Sequence, residues 1–268
     1  SCLLDDIRAV YNYRASIGKE SPFQIYIHEN AALVGPLDKS EEQDVVDRIS
    51  STGSGSGHAR VNKQFRRLVG STVGGSLTLL NTINDAGYHS VCVVNTNQYM
   101  MLVNGLSGHH CLFECSQGSL LDVNFGYFPH VTSRSTLARV AIERNGLGHM
   151  DWKYCGVYRT YPIRTGGPSG PTGSAETSFE AMGISPEIAT VTKRKRRIFD
   201  FSHDDFKRSV ALNRPDTVAF THLDYVKLDP WSLNGFFGWL KMDDDLESLT
   251  KNTSWVLSNE TGKAVFYE

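Results

Sequence analysis

Apolar residues return at helical spacing from the start of the chain. Leu3, Leu4, Ile7, Val10 and Tyr11 share one face of a 3.6-residue period, which predicts a helix over 2–14. FQIYIH (23–28) alternates instead, as a strand does. SEEQDVVDRIS (40–50) predicts a second helix, and a glycine-serine loop, STGSGSGHAR (51–60), follows it before the basic stretch VNKQFRRL. HSVCVVN (89–95), HCLFE (110–114), YCGVYRTYPIR (154–164), IFDF (198–201) and TVAFTHLD (217–224) are strand-like, and HDDFKRSVALN (203–213) is helical. This alternation predicts an α/β fold with a mainly parallel central sheet and flanking helices. In such folds ligands sit where loops leave the carboxyl ends of strands. No fixed-period repeat or low-complexity linker divides the chain, so a single domain over 1–268 is expected.

The 268 residues carry 27 Lys and Arg against 29 Asp and Glu, a formal net charge of −2. That balance excludes a surface built to coat a polyanion, because no excess of cations is there to displace counterions. No run of about 18 apolar residues marks a membrane span, and no apolar stretch reads as a secretory signal. The five cysteines, Cys2, Cys92, Cys111, Cys115 and Cys155, are odd in number and lie mostly in strand-like text. They point to a reducing, cytoplasmic compartment. HHCLFEC (109–115) holds potential zinc ligands, but its alternation fits a buried strand and no second Cys/His pair completes a tetrahedral set. The chain opens on SCLLDDIRAV, without methionine and directly in an amphipathic pattern, so an upstream segment or a cloning scar is expected.

Four loops carry chemistry. STGSGSGHAR reads either as a flexible linker or as an anion site, with glycine N–H groups, hydroxyls and the nearby Arg60, Lys63, Arg66 and Arg67 around a phosphate. It lacks the Gly-Lys-Ser/Thr ending of a Walker A loop. ECSQGSLLDVNFGYFPHVTSR (114–134) offers Gln117, donor and acceptor at once, for a purine edge, and Thr132 and Ser133 for phosphate. The alternative is a turn stabilised by Asp122 and Asn124. RTGGPSGPTG (164–173) reads as a lid or as a plain surface loop. ATVTKRKRR (189–197) holds five consecutive basic residues: a solvated face, a polyanion contact, or arginine forks for carboxylate and phosphate.

Taken in order, STGSGSG, FECSQGSLLDVNFGYFPHVTS, YRTYPIRTGG, ATVTKRKRR and THLD resemble the motifs of the adenylosuccinate synthetase family, from about residue 40 to 225. The wording of TSR (132–134), IRTGGPSG (163–170) and TVTKRKRRIFDFS (190–202) looks like the phage-type branch. Members of that branch make 2-amino-2'-deoxyadenylosuccinate from dGMP. The resemblance implies a P-loop-NTPase-like fold and a two-step ligation. A nucleoside triphosphate phosphorylates the purine O6, and the amine of L-aspartate then displaces that phosphate. It also implies Mg2+, GTP or ATP/dATP as co-substrate, and a homodimer in which Arg66 reaches a monophosphate in the neighbouring subunit. By the same resemblance Thr52 and Gly53 meet the substrate monophosphate, and Gln117 and Thr132 its purine and phosphate. Thr190, Thr192, Arg194 and Arg196 form the aspartate loop, with Arg197 matching the family's last arginine. THLD (221–224) matches a guanine-reading Thr-Lys-Leu-Asp, giving Thr221 and Asp224 to the donor base, although His222 replaces the lysine.

The family's catalytic aspartate, its catalytic histidine and its phosphate loop would lie upstream of residue 1, and no GDEGKGK-like or GHT-like segment occurs in the chain. Three readings stay open. The sequence is part of an active ligase, which the intact substrate motifs favour. Alternatively it is a short relative that binds purine nucleotides without turnover, as a sensor or partner subunit, or it is completed by a separate polypeptide. An ordinary IMP-using synthetase is the competing substrate assignment. A P-loop-less α/β protein binding phosphorylated ligands or RNA through 193–197 is the non-family alternative, with salt-steep binding as its signature.

Overall fold

A computed structural model describes residues 2–19, 22–66, 72–106, 108–226, 254–258 and 264–267. The chain passes through α1 (Cys2–Ser16), β1 (Ile25–His28), α2 (Pro36–Glu41), α3 (Gln43–Ile49), α4 (Ser56–Phe65), α5 (Leu77–Asp85), β2 (Val91–Val94) and α6 (Thr96–Asn104). It continues through α7 (Ala138–Arg144), β3 (Cys155–Arg159), β4 (Ile163–Arg164), β5 (Glu176–Thr177), α8 (Phe179–Met182), β6 (Arg197–Phe199), α9 (His203–Asn213), β7 (Thr217–Thr221), β8 (Ser254–Ser258) and β9 (Ala264–Tyr267). It gathers into two compact units, one of 1–42 and 54–111, the other of 43–53 and 112–268.

In the first unit β1 and β2 pair in parallel, Ile25 opposite Val91 and His28 opposite Val94. Ile7, Ala59, Val73, Ile83, Val94 and Val103 are buried. Tyr11 packs edge-on against Phe23 and tilted against Tyr88. Helix α6 starts where Asn95 and Gln98 exchange side-chain-to-backbone bonds, each 2.9 Å long. That reciprocal pairing satisfies two end-of-helix donors.

In the second unit a four-stranded sheet runs in the order β3-β7-β8-β9. The β3–β7 and β7–β8 pairs are parallel and the β8–β9 pair is antiparallel. A separate antiparallel sheet has the order β4-β6-β5. Burial alternates along TVAFT of β7, with Val218 and Phe220 fully inside. Phe220 meets Phe206 of α9, and Tyr158 of β3 meets Phe206 edge-on at 4.7 Å. Burying aromatic faces in this way contributes more than area alone.

The α/β class and its parallel strands follow the sequence pattern, with three corrections. The strand expected at 110–114 does not form. Cys111 to Glu114 still alternate in burial, but they take no ladder partner among the described residues, and Leu112 is 93% exposed. The helix expected at 40–50 is two helices with Glu42 between them. The loop expected at 51–60 ends at Gly55, where α4 begins.

Candidate functional site

Glu42 explains both of the last two corrections. Its carboxylate accepts the N–H of Gly55 at 2.8 Å, of Gly57 at 2.7 Å and of His58 at 3.1 Å. A helix N-terminus presents unpaired N–H groups and a partial positive charge, and here the protein's own carboxylate meets both. The glycine amides that the sequence offered to a phosphate are therefore already filled from residue 55 onward. Gly55 also sits so close to Val34 and Asp38 that only glycine fits, with φ of +78°. Thr52 and Gly53 belong to the other unit. There Gly53 lies against Val46 with φ of +62°.

The 114–134 stretch is organised by Asp122, which is 0% exposed. One oxygen accepts the N–H of Asn124 and Phe125, and the other accepts Ser135 Oγ at 2.7 Å and the N–H of Thr136 at 2.6 Å. Burial opposes its charge, but the bonds from Ser135, Asn124, Thr136 and Phe125 outweigh it and hold the carboxyl below the usual aspartate range. Asp122 thus performs the turn-stabilising role, and it does so while Gln117 and Thr132 are displayed around it. Thr132 is anchored by its N–H to Leu121 O at 2.8 Å. Gln117 is exposed, and Arg134 binds the adjacent Ser116 hydroxyl.

The glycine loop after β4 is a packed element and not a loose surface loop. Arg164 is 8% exposed and donates to the carbonyls of His130 and Ser169. Burial first, and the nearby Arg197 second, push its pKa downward. Arg197 donates to Ser169 Oγ at 3.2 Å and Gly170 O at 2.8 Å, and its other face forks onto Glu176. A Cβ on Gly166 would strike Lys195 O, one on Gly167 would strike Ser50 Oγ, and one on Gly170 would strike the His130 ring. Three loops therefore close on this one: 50–53 through Ser50, 114–134 through His130, and 189–197 through Lys195 and Arg194. Ser50 Oγ, His130 Nδ1 and Arg164 Nη2 are buried there without hydrogen-bond partners among the described residues. Such groups are costly to leave unsatisfied.

The basic run is largely neutralised from a distance. Lys195 pairs with Glu180, Arg197 with Glu176, and Arg196 Nε lies 4.0 Å from Glu187. Residues 187–196 form a tight hairpin, with Ala189 N on Arg194 O and Arg196 N on Glu187 O at 2.8 Å. Its tip carries Thr190, Thr192 and Arg194, and the Arg194 guanidinium has no hydrogen bond or ion pair among the described residues. Glu187 also binds Arg159 and accepts the Tyr225 hydroxyl at 2.9 Å. Burial raises its pKa, but Arg159 together with Tyr225 and His222 brings it below the usual glutamate range. Thr221 at the end of β7 bonds Tyr158 O, and Thr160 Oγ1 holds the carbonyl of His222, so the turn bearing Asp224 is fixed from below.

Among the described non-glycine residues, six have left-handed backbone: Ser50, Arg66, Gln117, Lys193, Arg214 and His222. Arg66 and Arg214 are helix C-caps, where that geometry is ordinary. The other four each fall in a loop singled out above, and strain of that kind concentrates where ligands are held. Arg66 lies exposed at the end of α4 in the first unit; Arg67 falls outside the described residues. The sequence reading missed Ser50, His130, Arg164 and Glu187. Only Arg164, next to the Gly-Gly pair, gave a local signal. No group of three or more His, Cys, Asp or Glu among the described residues converges to hold a metal. No described helix is long and apolar enough to cross a membrane. An open groove of about 430 Å³ in the first unit, lined by Leu80, Ile83, Val91 and Val93 with Glu29 and Asn95, contains none of the predicted site residues.

A family model for adenylosuccinate synthetase matches residues 76–230. The N6-succino-2-amino-2'-deoxyadenylate synthase of Acinetobacter phage SH-Ab 15497 is 30% identical, over 89% of this chain and 64% of its own length. The adenylosuccinate synthetase of Methanococcus maripaludis is 31% identical, over 85% of this chain and 60% of its own. The succinoaminodeoxyadenylate synthetase of cyanophage S-2L, solved with dGMP and with dATP as energy donor, superposes with a TM-score of 0.71 at 26% identity. That superposition covers 93% of this chain and 71% of the cyanophage chain. The chain thus spans about three fifths of the length of the curated relatives it matches. With the family model covering more than half of its residues, the chain belongs to the adenylosuccinate synthetase family.

Proposed function

We propose that this chain binds a purine 2'-deoxynucleoside monophosphate, L-aspartate and a nucleoside triphosphate as part of a ligase joining aspartate to the purine 6-position. The observation that carries this reading is the closure of three loops on Gly166–Gly170. Ser50 Oγ and the Arg194 guanidinium both lie against Gly167 there, and Ser50 Oγ, His130 Nδ1 and Arg164 Nη2 have no hydrogen-bond partner among the described residues. In the reaction, the γ-phosphoryl group passes to the purine O6, the nucleoside diphosphate leaves, and the purine gives up its N1 proton. The aspartate amine then attacks C6, inorganic phosphate leaves, and the amine loses a proton. Both steps accumulate negative charge on oxygens, so cationic clamping by Arg194 and Arg196 and close positioning are what this chain supplies. Mg2+ would travel with the triphosphate.

The preference for dGMP over IMP rests on the phage-type wording of the loops and on the phage relatives. For the donor, the Asp224 carboxylate suits the N1–H and 2-amino group of guanine, whereas the cyanophage relative carries dATP. Arg66, exposed at the end of α4, would reach the monophosphate of a second copy, making the working form a homodimer.

The test is incubation with L-aspartate, one of GTP, ATP or dATP, and one of dGMP, GMP or IMP, with products read by mass spectrometry. An aspartate adduct of dGMP is expected. Product from IMP alone would overturn the substrate assignment. Nucleotide binding without any adduct would assign the chain a binding role only. Equal use of GTP and dATP, unchanged in Asp224→Ala, would remove Asp224 from the donor site.

A further inference from the structure

Two elements assigned to different substrates meet at one carboxylate. The 187–196 hairpin bears Arg194 and Arg196, and the turn after β7 bears His222, Asp224 and Tyr225. Glu187 lies at the base of the hairpin, 22% exposed in its side chain, and its two oxygens serve both elements. Oε1 accepts the Tyr225 hydroxyl at 2.9 Å and pairs with Arg159 Nη2. Oε2 accepts Arg159 Nη1 at 3.4 Å and faces Arg196 Nε at 4.0 Å. Arg159 in turn reaches over the Tyr225 ring, 5.8 Å from its centroid, and His222 packs edge-on against that ring at 5.1 Å.

The contacts are unequal. Arg159 and Tyr225 make hydrogen bonds to Glu187, whereas Arg196 Nε is buried without a hydrogen-bond partner among the described residues and holds Glu187 only through charge. Arg196 is therefore the group that an incoming carboxylate displaces most easily.

We infer that Glu187 couples the amino-acid subsite to the nucleotide-base subsite, by sharing its carboxylate between Arg196 and the Arg159–Tyr225 pair. This rests on the substrate reading given above. When the carboxylate of an amino acid draws Arg196 away, Glu187 is left to Arg159 and Tyr225, and the 222–225 turn is held more tightly. Linkage makes the effect reciprocal, so a bound triphosphate raises affinity for aspartate by the same factor. Glu187 is a positioning residue: it acts on both ligands through other side chains.

Calorimetric titration of L-aspartate into the dGMP-saturated protein, with and without the β,γ-imido analogue of GTP or of ATP, measures the coupling factor. The wild type should show a ratio of about fivefold or more. In Glu187→Gln the ratio should fall to within about twofold of one, although each ligand still binds singly. A purely structural loss would weaken each ligand and leave the ratio alone. Tyr225→Phe removes one bond without changing charge and should lower the ratio in part, which keeps the inference testable if Glu187→Gln does not fold. A ratio of one in the wild type, or an unchanged ratio in both variants, would overturn the coupling. Absence of any binding by the folded wild type would instead sink the substrate reading itself.

Discussion

Arg164 and Arg197 stand directly opposite each other across the antiparallel β4–β6 ladder, and both guanidinium groups are turned onto the loop that joins β4 to its sheet partners. Like charges facing across strands ordinarily repel. Here the repulsion is offset by the carbonyls of His130, Ser169 and Gly170 and by the carboxylate of Glu176. The pair defines the loop's shape by holding its carbonyls from two sides. Arg164→Ala should cost about 3 kcal/mol, since it strips donors from buried carbonyls. Arg164→Lys should recover only part, because the lysine ammonium ends about where the guanidinium carbon lies, short of the Nη1 that donates to both carbonyls. Urea titrations followed by fluorescence give both values.

Glu42 makes a different prediction for the glycine-serine loop. Replacing it with alanine leaves the N–H groups of Gly55, Gly57 and His58 without their acceptor and should lower stability by about 2–3 kcal/mol. The same change opens an anion-binding helix N-terminus, so inorganic phosphate should restore part of the loss in the variant and do little for the wild type. Thermal melts with and without phosphate separate the two effects. Equal phosphate stabilisation of both proteins would show that the amides are not closed by Glu42.

Asp122 should govern part of the acid limb of stability. Its folded pKa is depressed, so its contribution is fully present above the unfolded value of about 3.9 and is lost as pH falls from there through the folded pKa. Asp122→Asn keeps the size but turns one acceptor into a donor facing donors, so it should be less stable by about 2–3 kcal/mol near pH 7. Between about pH 4.5 and pH 2 its stability should fall less steeply than that of the wild type. Chemical denaturation at stepped pH reads the difference in slope.

Much of this was visible in the sequence, and the misses share a cause. Helix 203–213 and the strands at 25–28, 91–94 and 217–221 obey local periodicity, which one sequence carries in full. HCLFE has strand periodicity too, yet a strand needs a partner, and no residue within 110–114 encodes one. KRKRR left a solvated face, a polyanion contact and arginine forks all open, because its partners Glu176, Glu180 and Glu187 lie well upstream in the chain. No i,i+4 spacing announces them. Glu42 acts through backbone N–H groups some thirteen residues on, contacts that carry no side-chain signature. Gln117, Thr132 and Arg194 became candidates together through the family resemblance, because it carries a relation between distant loops that periodicity does not.

Arg194 and Arg197 differ by three positions in the same basic run, and they should separate binding from stability. Arg197 is anchored to Glu176, Ser169 and Gly170, so Arg197→Ala should destabilise the fold by about 2–3 kcal/mol. Arg194 projects from the hairpin tip, exposed and without a hydrogen bond or ion pair among the described residues. Its removal breaks no hydrogen bond or ion pair among the described residues, and Arg194→Ala should stay within about 0.5 kcal/mol of the wild type. If the guanidinium receives a substrate carboxylate through charge-assisted bonds, the same change should weaken L-aspartate binding at least about tenfold. Lysine at 194 should recover less than half of the lost binding energy, since it cannot offer two parallel N–H groups. Melting temperatures and aspartate titrations on the two alanine variants should therefore rank in opposite orders. A stable Arg194→Ala protein that binds aspartate normally would show that the hairpin tip is not the carboxylate clamp.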